Sequence, residues 1–215
     1  MNKKAVIFDM DGVLIDSEPV YLEMFRRFIA ENGGNAEEGT LRAIAGASAR
    51  QTWVYMAQMW KEEIDPEELQ REFRRQYPQF RVPYAEVVYP GVDSLLSWLK
   101  DKGVRMALAS SSSDRAIRQM LEETGFETYF DCIVSGDMFQ ESKPNPEIYL
   151  YTLSRLELTA EECVVMEDST YGIQAAKAAG LKVVAVKDHR FSYDQSSADC
   201  FVEKTANLRE IFETL

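Results

Sequence analysis

The stretch FDMDGVLIDSEP, residues 8–19, sets Asp9 and Asp11 one residue apart directly behind the apolar run Ala5, Val6, Ile7 and Phe8, with Asp16 close behind. A run that is apolar at every position reads as a strand buried on both faces, the condition of strands in a parallel sheet. Carboxylates gathered at the end of such a strand repel one another, and each is costly to bury without a partner. A metal ion and a chemical step are the leading reasons to gather them.

Similar runs recur at 104–109, 132–134, 163–166 and 182–186, with helical patterns between them. Residues 93–102 place Leu95, Leu96 and Leu99 on one face and stop at Gly103, and 114–124 group Ile117, Met120 and Leu121 before Gly125. Asn145 and Pro146 open a helix carrying Ile148, Tyr149, Thr152, Leu153 and Leu156, and 170–179 end at Gly180. Polar caps and proline at the start, and glycine at the end, are helix boundaries with physical causes. Strands alternating with helices predict an α/β fold: a doubly wound, Rossmann-like parallel sheet covered on both faces.

The alternation breaks once. From Ser17 to about Arg81 no strand-like run occurs. Val20, Tyr21, Met24, Phe25, Phe28 and Ile29 recur at helical spacing and end at Gly33-Gly34, and a second short helix leads to Gly46. A third helix carries Trp53, Met56, Ala57 and Trp60, and a fourth starts at Asp65-Pro66 and carries Leu69, Phe73 and Tyr77. The predicted organisation is a core domain of residues 1–16 and 83–215, interrupted after its first strand by an all-helical domain of residues 17–82.

Lys and Arg number 24 against 36 Asp and Glu, a net charge of −12, which argues against nucleic acid or an anionic membrane as partner. An anionic substrate would then need a locally cationic site. Cys132, Cys163 and Cys200 form neither a metal spacing nor an even framework, which fits a reducing compartment. No apolar run is long enough to span a bilayer, and the opening Met-Asn-Lys-Lys-Ala reads as the approach to a strand, not as a signal peptide. The expectation is a cytoplasmic monomer acting on a small molecule.

In open α/β sheets, ligands bind beyond the carboxyl ends of the strands. Asp9 and Asp11 follow the first strand; Ser110, Ser111, Ser112 and Ser113 follow the second; Lys143 lies on a loop after the third; Glu167 and Asp168 follow the fourth. A carboxylate attacking a phosphate dianion meets repulsion: at ~4 Å and an effective dielectric of ~20, one pair of unit charges costs ~4 kcal/mol, and a dianion about doubles it. Mg²⁺ removes most of that penalty and prefers one or two carboxylates plus phosphate and water oxygens. Lys143 would neutralise further charge. The Ser110 hydroxyl and the N–H groups opening the next helix can hold phosphate oxygens. Asp11 is left to protonate the leaving oxygen and then activate water.

D-x-D-G-V-L at 9–14, Ser110 closing a hydrophobic strand, S-K-P-N-P at 142–146 and E-D-S-x-x-G-I-x-A-A at 167–176 resemble, in order and over essentially the whole chain, the four motifs of the haloacid dehalogenase-like (HAD-like) superfamily. The helical insertion looks like that of the subgroup holding β-phosphoglucomutase and small sugar-phosphate phosphatases. The resemblance implies a Mg²⁺-dependent phosphatase of small phosphorylated metabolites, sugar phosphates foremost. By it, Asp9 is the nucleophile that becomes an aspartyl-phosphate and Asp11 the general acid/base. Ser110 and Lys143, with Ser111, bind the transferring phosphate. Asp9, the backbone carbonyl of Asp11, and Asp168 hold Mg²⁺, with Glu167 nearby. The insertion becomes a mobile cap from which Arg50 either reaches substrate or stays on a solvated face.

Alternatives stand beside this reading. Dehalogenases of the superfamily lack the second aspartate of the first motif. Phosphonatases use a cap lysine, and the insertion offers Lys61 alone, beside Glu62 and Glu63. β-Phosphoglucomutases carry a histidine on the first cap helix where this chain has Tyr21, so a phosphosugar mutase is the second candidate. A phosphoacceptor receiver domain or a binding protein is the non-enzymatic one, although receivers lack a helical insertion after the first strand. The residues also have plain readings. Asp9 and Asp11 could cap a turn, Ser112 or Ser113 a helix, and Lys143 could be a solvated loop lysine. Asp16 reads as a hinge or turn residue, Trp53, Met56 and Trp60 as packing of the insertion, and His189 as exposed.

Overall fold

The computed structural model describes residues 3–45, 47 and 49–215. It forms two compact units, one running through Asp16 and resuming over Tyr84–Leu215, the other Ser17–Pro83. The second unit holds helices α1 (Glu18–Glu31), α2 (Glu38–Ile44), α3 (Ala49–Ala57) and α4 (Pro66–Gln76). The first holds α5 (Val92–Asp101), α6 (Asp114–Thr124), α7 (Glu147–Leu156), α8 (Thr170–Ala178) and α9 (Leu208–Ile211) around six strands. These are β1 (Ala5–Phe8), β2 (Arg105–Ser110), β3 (Cys132–Ser135), β4 (Cys163–Glu167), β5 (Lys182–Val186) and β6 (Cys200–Val202), all parallel, in the order β3-β2-β1-β4-β5-β6.

The apolar runs become strands because both of their faces find cover. Ala5, Ile7, Ala107, Val165 and Val183 share a core with Tyr149 and Leu153 of α7 and Ile173 of α8. The alternate residues Val6, Phe8, Met106, Leu108, Val164 and Met166 are equally buried, and α5 packs on β2 with Leu95, Leu96 and Leu99 buried. Each such side chain withdrawn from water contributes roughly 1.5–3 kcal/mol. The sixth strand was not among the predicted runs. Of Cys200–Val202 only Val202 is buried and Phe201 is exposed, so this edge strand is too short to show a period. Helix α7 starts at Glu147, one residue after Pro146, while the Asn145 side-chain oxygen accepts the Glu147 N–H at 2.9 Å.

The helical unit packs its own core. Phe73 lies 5.3 Å from the rings of Phe28 and Trp53, and Met56 is fully buried. Asp65 caps α4 by accepting the Glu67 N–H at 3.0 Å. Trp60 lies beyond the end of α3, and its indole N–H donates to the Asn32 carbonyl at 2.9 Å. Gly46, to which the second helix of the insertion is expected to lead, lies outside the described residues. Among the described residues, no helix is long and apolar enough to cross a membrane.

Candidate active site

The strand order reverses between β1 and β4, and the crevice at such a switch point is where doubly wound sheets bind ligands. Phe8 pairs with Leu108 on one side and Met166 on the other. The next residue, Asp9, donates its N–H to the Met166 carbonyl at 3.0 Å. Its carboxylate therefore emerges beside Glu167 and Asp168 at the end of β4.

One lysine joins the two strand ends. Lys143 Nζ donates to Asp9 Oδ1 at 2.5 Å, to Glu167 Oε1 at 2.7 Å and to the Ala109 carbonyl at 3.0 Å, which uses all three of its donors. It also stands 5.0 Å from the centre of the Tyr149 ring, within cation–π range. Burial pulls this ammonium down, but the Asp9 and Glu167 carboxylates more than offset it and hold it well above the ordinary lysine value. Burial pushes the Asp9 carboxyl up, against the opposing pull of Lys143 and with the support of Glu167 and Asp11.

Glu167 is fully buried, and both of its oxygens are engaged. Oε1 accepts from Lys143 and, at 3.0 Å, from the Tyr149 hydroxyl. Oε2 accepts from the N–H groups of Asp168 and Ser169 and from the Ser169 hydroxyl, at 3.0–3.1 Å. The glycines of the first and fourth motifs are required by close approach. A Cβ on Gly12 would lie 2.0 Å from Asp168 Oδ2, and Gly12 has φ +78°. A Cβ on Gly172 would lie 1.7 Å from Glu167 Oε1. Gly172→Ala must therefore displace a carboxylate held by several donors. It is expected to destabilise the protein by about 1–3 kcal/mol, as overpacking does, and to lower turnover. Denaturant unfolding and a phosphate-release assay would measure both, and wild-type values in both would mean that Glu167 moves without consequence.

Asp11 is half-buried, and its Oδ2 accepts from the Ser112 hydroxyl at 2.7 Å. Ser110 is buried, and its Oγ accepts the Ser112 N–H at 3.0 Å. Ser111 Oγ accepts from the Ser142 hydroxyl at 3.0 Å, and Ser113 caps α6 by accepting the Ala116 N–H. Arg50 is exposed in the first turn of α3, in the helical unit. Asp16 accepts two hydrogen bonds from the Arg190 guanidinium, at 2.7 and 3.0 Å, and one from Tyr89. His189 is exposed, 3.2 Å from Glu203. Ser112 and Tyr149 touch the site residues directly, yet the sequence offered them only as a helix cap and an apolar-face residue. A hydroxyl among the Leu and Ile positions of a buried helix face is the one signal that could have singled out Tyr149.

Buried carboxylates around a single ammonium, at the switch point of a parallel sheet, define an α/β enzyme site able to hold a divalent cation beside a small anion. The family model described as haloacid dehalogenase-like hydrolase matches residues 6–186. The chain belongs to this family of enzymes. It is similar to the phosphorylated carbohydrates phosphatase of Thermotoga maritima, 37% identical over 181 residues that cover 83% of this chain and 82% of the relative. It is also similar to the fructose-1-phosphate phosphatase YqaB of Escherichia coli, 31% identical over 184 residues, 85% of this chain and 96% of the relative. The crystal structure of a candidate beta-phosphoglucomutase from Thermotoga maritima matches over 99% of both chains at 33% identity and a TM-score of 0.76.

Proposed function

We propose that the protein is a Mg²⁺-dependent phosphatase of small phosphorylated metabolites, sugar phosphates foremost, acting through an aspartyl-phosphate on Asp9. The observation that carries this reading is the contact of Asp9 with Lys143 in the same buried cluster as Glu167 and Asp168. The two phosphatase relatives support the substrate class.

The residues fit a hard divalent cation. Asp9, Glu167 and Asp168 are all buried, and each offers an oxygen within 4.8 Å of the others. A single ammonium does not balance them. Asp9 and Asp168 would hold Mg²⁺ together with the main-chain carbonyl of Asp11. Glu167 would stand behind them, since its oxygens already accept from Lys143, Tyr149, Asp168 and Ser169. When bound, the ion supplies charge neutralisation between Asp9 and the substrate phosphate.

The chain's own groups do the rest. Ser110 and Ser111 bind the transferring phosphate, and Lys143 joins them by giving up one of the three bonds it makes in the resting site. An Asp9 oxygen attacks phosphorus as the bond to the sugar oxygen breaks, and Asp11 gives that oxygen its proton. Asp11, now a carboxylate, takes a proton from water. The resulting hydroxide attacks phosphorus, the bond to Asp9 breaks, and inorganic phosphate leaves. Ser112 fixes the Asp11 carboxylate by a direct hydrogen bond. Residues 17–82 are read as the substrate-selecting cap, with Arg50 as its exposed basic candidate.

A mutase is the second reading, favoured by the likeness to the candidate beta-phosphoglucomutase. Against it, Tyr21 packs on the rings of Phe25 and Phe80 where a mutase would present a histidine. Hydrolysis of hexose phosphates is expected to release inorganic phosphate, to stop in EDTA and to return with Mg²⁺ but not Ca²⁺, whose longer and looser coordination would misplace Asp9. Efficient conversion of β-glucose 1-phosphate to glucose 6-phosphate in the presence of β-glucose 1,6-bisphosphate, with negligible phosphate release, would replace the phosphatase reading with the mutase.

A further inference from the structure

The matched family region ends at residue 186, and the loop that follows β5 carries a contact to the site from outside it. Asp188 shapes the start of this loop: its carboxylate accepts the N–H groups of Arg190, Phe191 and Tyr193 at 2.8–3.2 Å. Gln195 then turns back to the sheet. Its Nε2 donates to the Asp168 carbonyl at 2.6 Å and to the Val186 carbonyl at 2.7 Å, and its Oε1 accepts the Asp188 N–H at 3.1 Å. Two carbonyls on one side of the amide and an N–H on the other leave a single orientation that satisfies all three.

We infer that Gln195 is a positioning residue for Asp168, fixing the main chain that carries a metal-binding carboxylate; this rests on the reading of Asp9 and Asp168 as a Mg²⁺ site. Asp168 is held from three directions. Its N–H donates to Glu167 Oε2 at 3.0 Å. Its carboxylate lies against Gly12, which has no room for a Cβ. Its carbonyl accepts from Gln195, in the loop after β5. Removing the carboxamide takes a donor from the ends of β4 and β5 together and leaves the 168–169 peptide held on one side only, by the Ser169 N–H bond to Glu167 Oε2. The Asp168 carboxylate then loses its preorganised place.

Groups that orient a metal ligand typically affect metal affinity 10–100-fold, and an effect carried through the main chain belongs at the lower end, about tenfold. The test is isothermal titration of Mg²⁺ into the full chain, stripped of metal, as wild type and as variants. Gln195→Met, close in size and without polar atoms, is expected to raise the Mg²⁺ Kd about tenfold while kcat at saturating Mg²⁺ and circular dichroism stay close to wild type. Gln195→Glu keeps the acceptor for the Asp188 N–H and replaces the two donated bonds with a carboxylate oxygen facing the Asp168 and Val186 carbonyls. It should weaken binding alike, and it stands in if the Met variant does not fold. Thr170→Val removes the bond from the Asp194 N–H to Thr170 Oγ1, 2.7 Å in the same loop, and leaves the Asp168 carbonyl bond in place. It should bind Mg²⁺ as wild type does. A wild-type Kd in both Gln195 variants, or equal weakening in Thr170→Val, would overturn the inference while leaving the metal site standing. A wild-type protein that binds no Mg²⁺ would remove the metal site and the inference with it.

Discussion

Asp9→Asn is expected to abolish turnover and leave the fold intact. The amide is isosteric with the carboxylate but is not a nucleophile toward phosphorus. The loss should reach at least about four orders of magnitude, the scale seen when a covalent catalyst is removed. The fold should tolerate the change because burial already disfavours the charged form of Asp9, and the substitution removes that charge. Lys143 keeps its bonds to Glu167 and to the Ala109 carbonyl, so its ammonium stays paired. Phosphate release from p-nitrophenyl phosphate and from hexose phosphates would measure the loss, and circular dichroism would establish the fold. Acid quenching of the wild type with labelled substrate should trap phosphate on the protein, and the variant should trap none. Activity retained by a correctly folded variant would take the nucleophile's role away from Asp9.

The sequence was most readable where a physical signal is local. The run at 5–8 is apolar at each position and stops at a carboxylate, so β1 and the position of Asp9 at its end follow from four residues and their neighbour. Helix α6 matches its predicted bounds, because Ser113 supplies a cap and Gly125, at φ +71°, ends the helix. Strand β5 also matches its run, while β3 and β4 extend one residue further and β2 is shifted by one residue at both ends, since register with a neighbour decides where pairing stops. The edge strand β6 carries one buried side chain and so no pattern. The contacts that order the candidate site are legible least of all. Ser112 meets Asp11 across 101 residues, Tyr149 meets Glu167 across 18 and Gln195 meets Asp168 across 27. Each is a polar residue whose neighbours in sequence give it an ordinary task, such as capping a helix or closing a turn. Only the folding of separate strands into one sheet shows what else it touches. Lys143 was legible as a cation near acids, but not as one whose three donors are all taken by protein acceptors.

The saturation of Lys143 leads to the second large effect. Lys143→Met is expected to lower stability by about 3–5 kcal/mol near neutral pH, the cost of breaking a buried ion pair from one side, and to reduce turnover severely. Met keeps the length and apolar body of the chain, so the change isolates the ammonium. Folding raises the ammonium's pKa, so its contribution is fully present below the ordinary lysine value and fades only as the pH rises through the folded one. At neutral pH the wild type therefore holds all of it. In the variant, the Asp9 carboxyl loses the group that opposes its upward shift and moves higher still. A carboxyl raised by folding keeps its proton in the folded state, and stability falls as the pH climbs from the ordinary carboxylate value near 4 toward the folded one. In the wild type Asp9 is already raised to about 8, so between pH 5 and pH 8 both proteins lose stability alike, and the deficit of Lys143→Met should stay nearly constant over that window and widen only above pH 8. Urea unfolding in EDTA at both values would measure it without interference from bound metal. Turnover should not recover at the lower pH, because protonated Asp9 is no better a nucleophile than the unpaired one. A variant as stable as wild type at pH 8 would show that the Asp9 and Glu167 carboxylates do not depend on Lys143. A deficit that changes strongly between pH 5 and pH 8 would contradict the upward shift of Asp9 on which the argument stands.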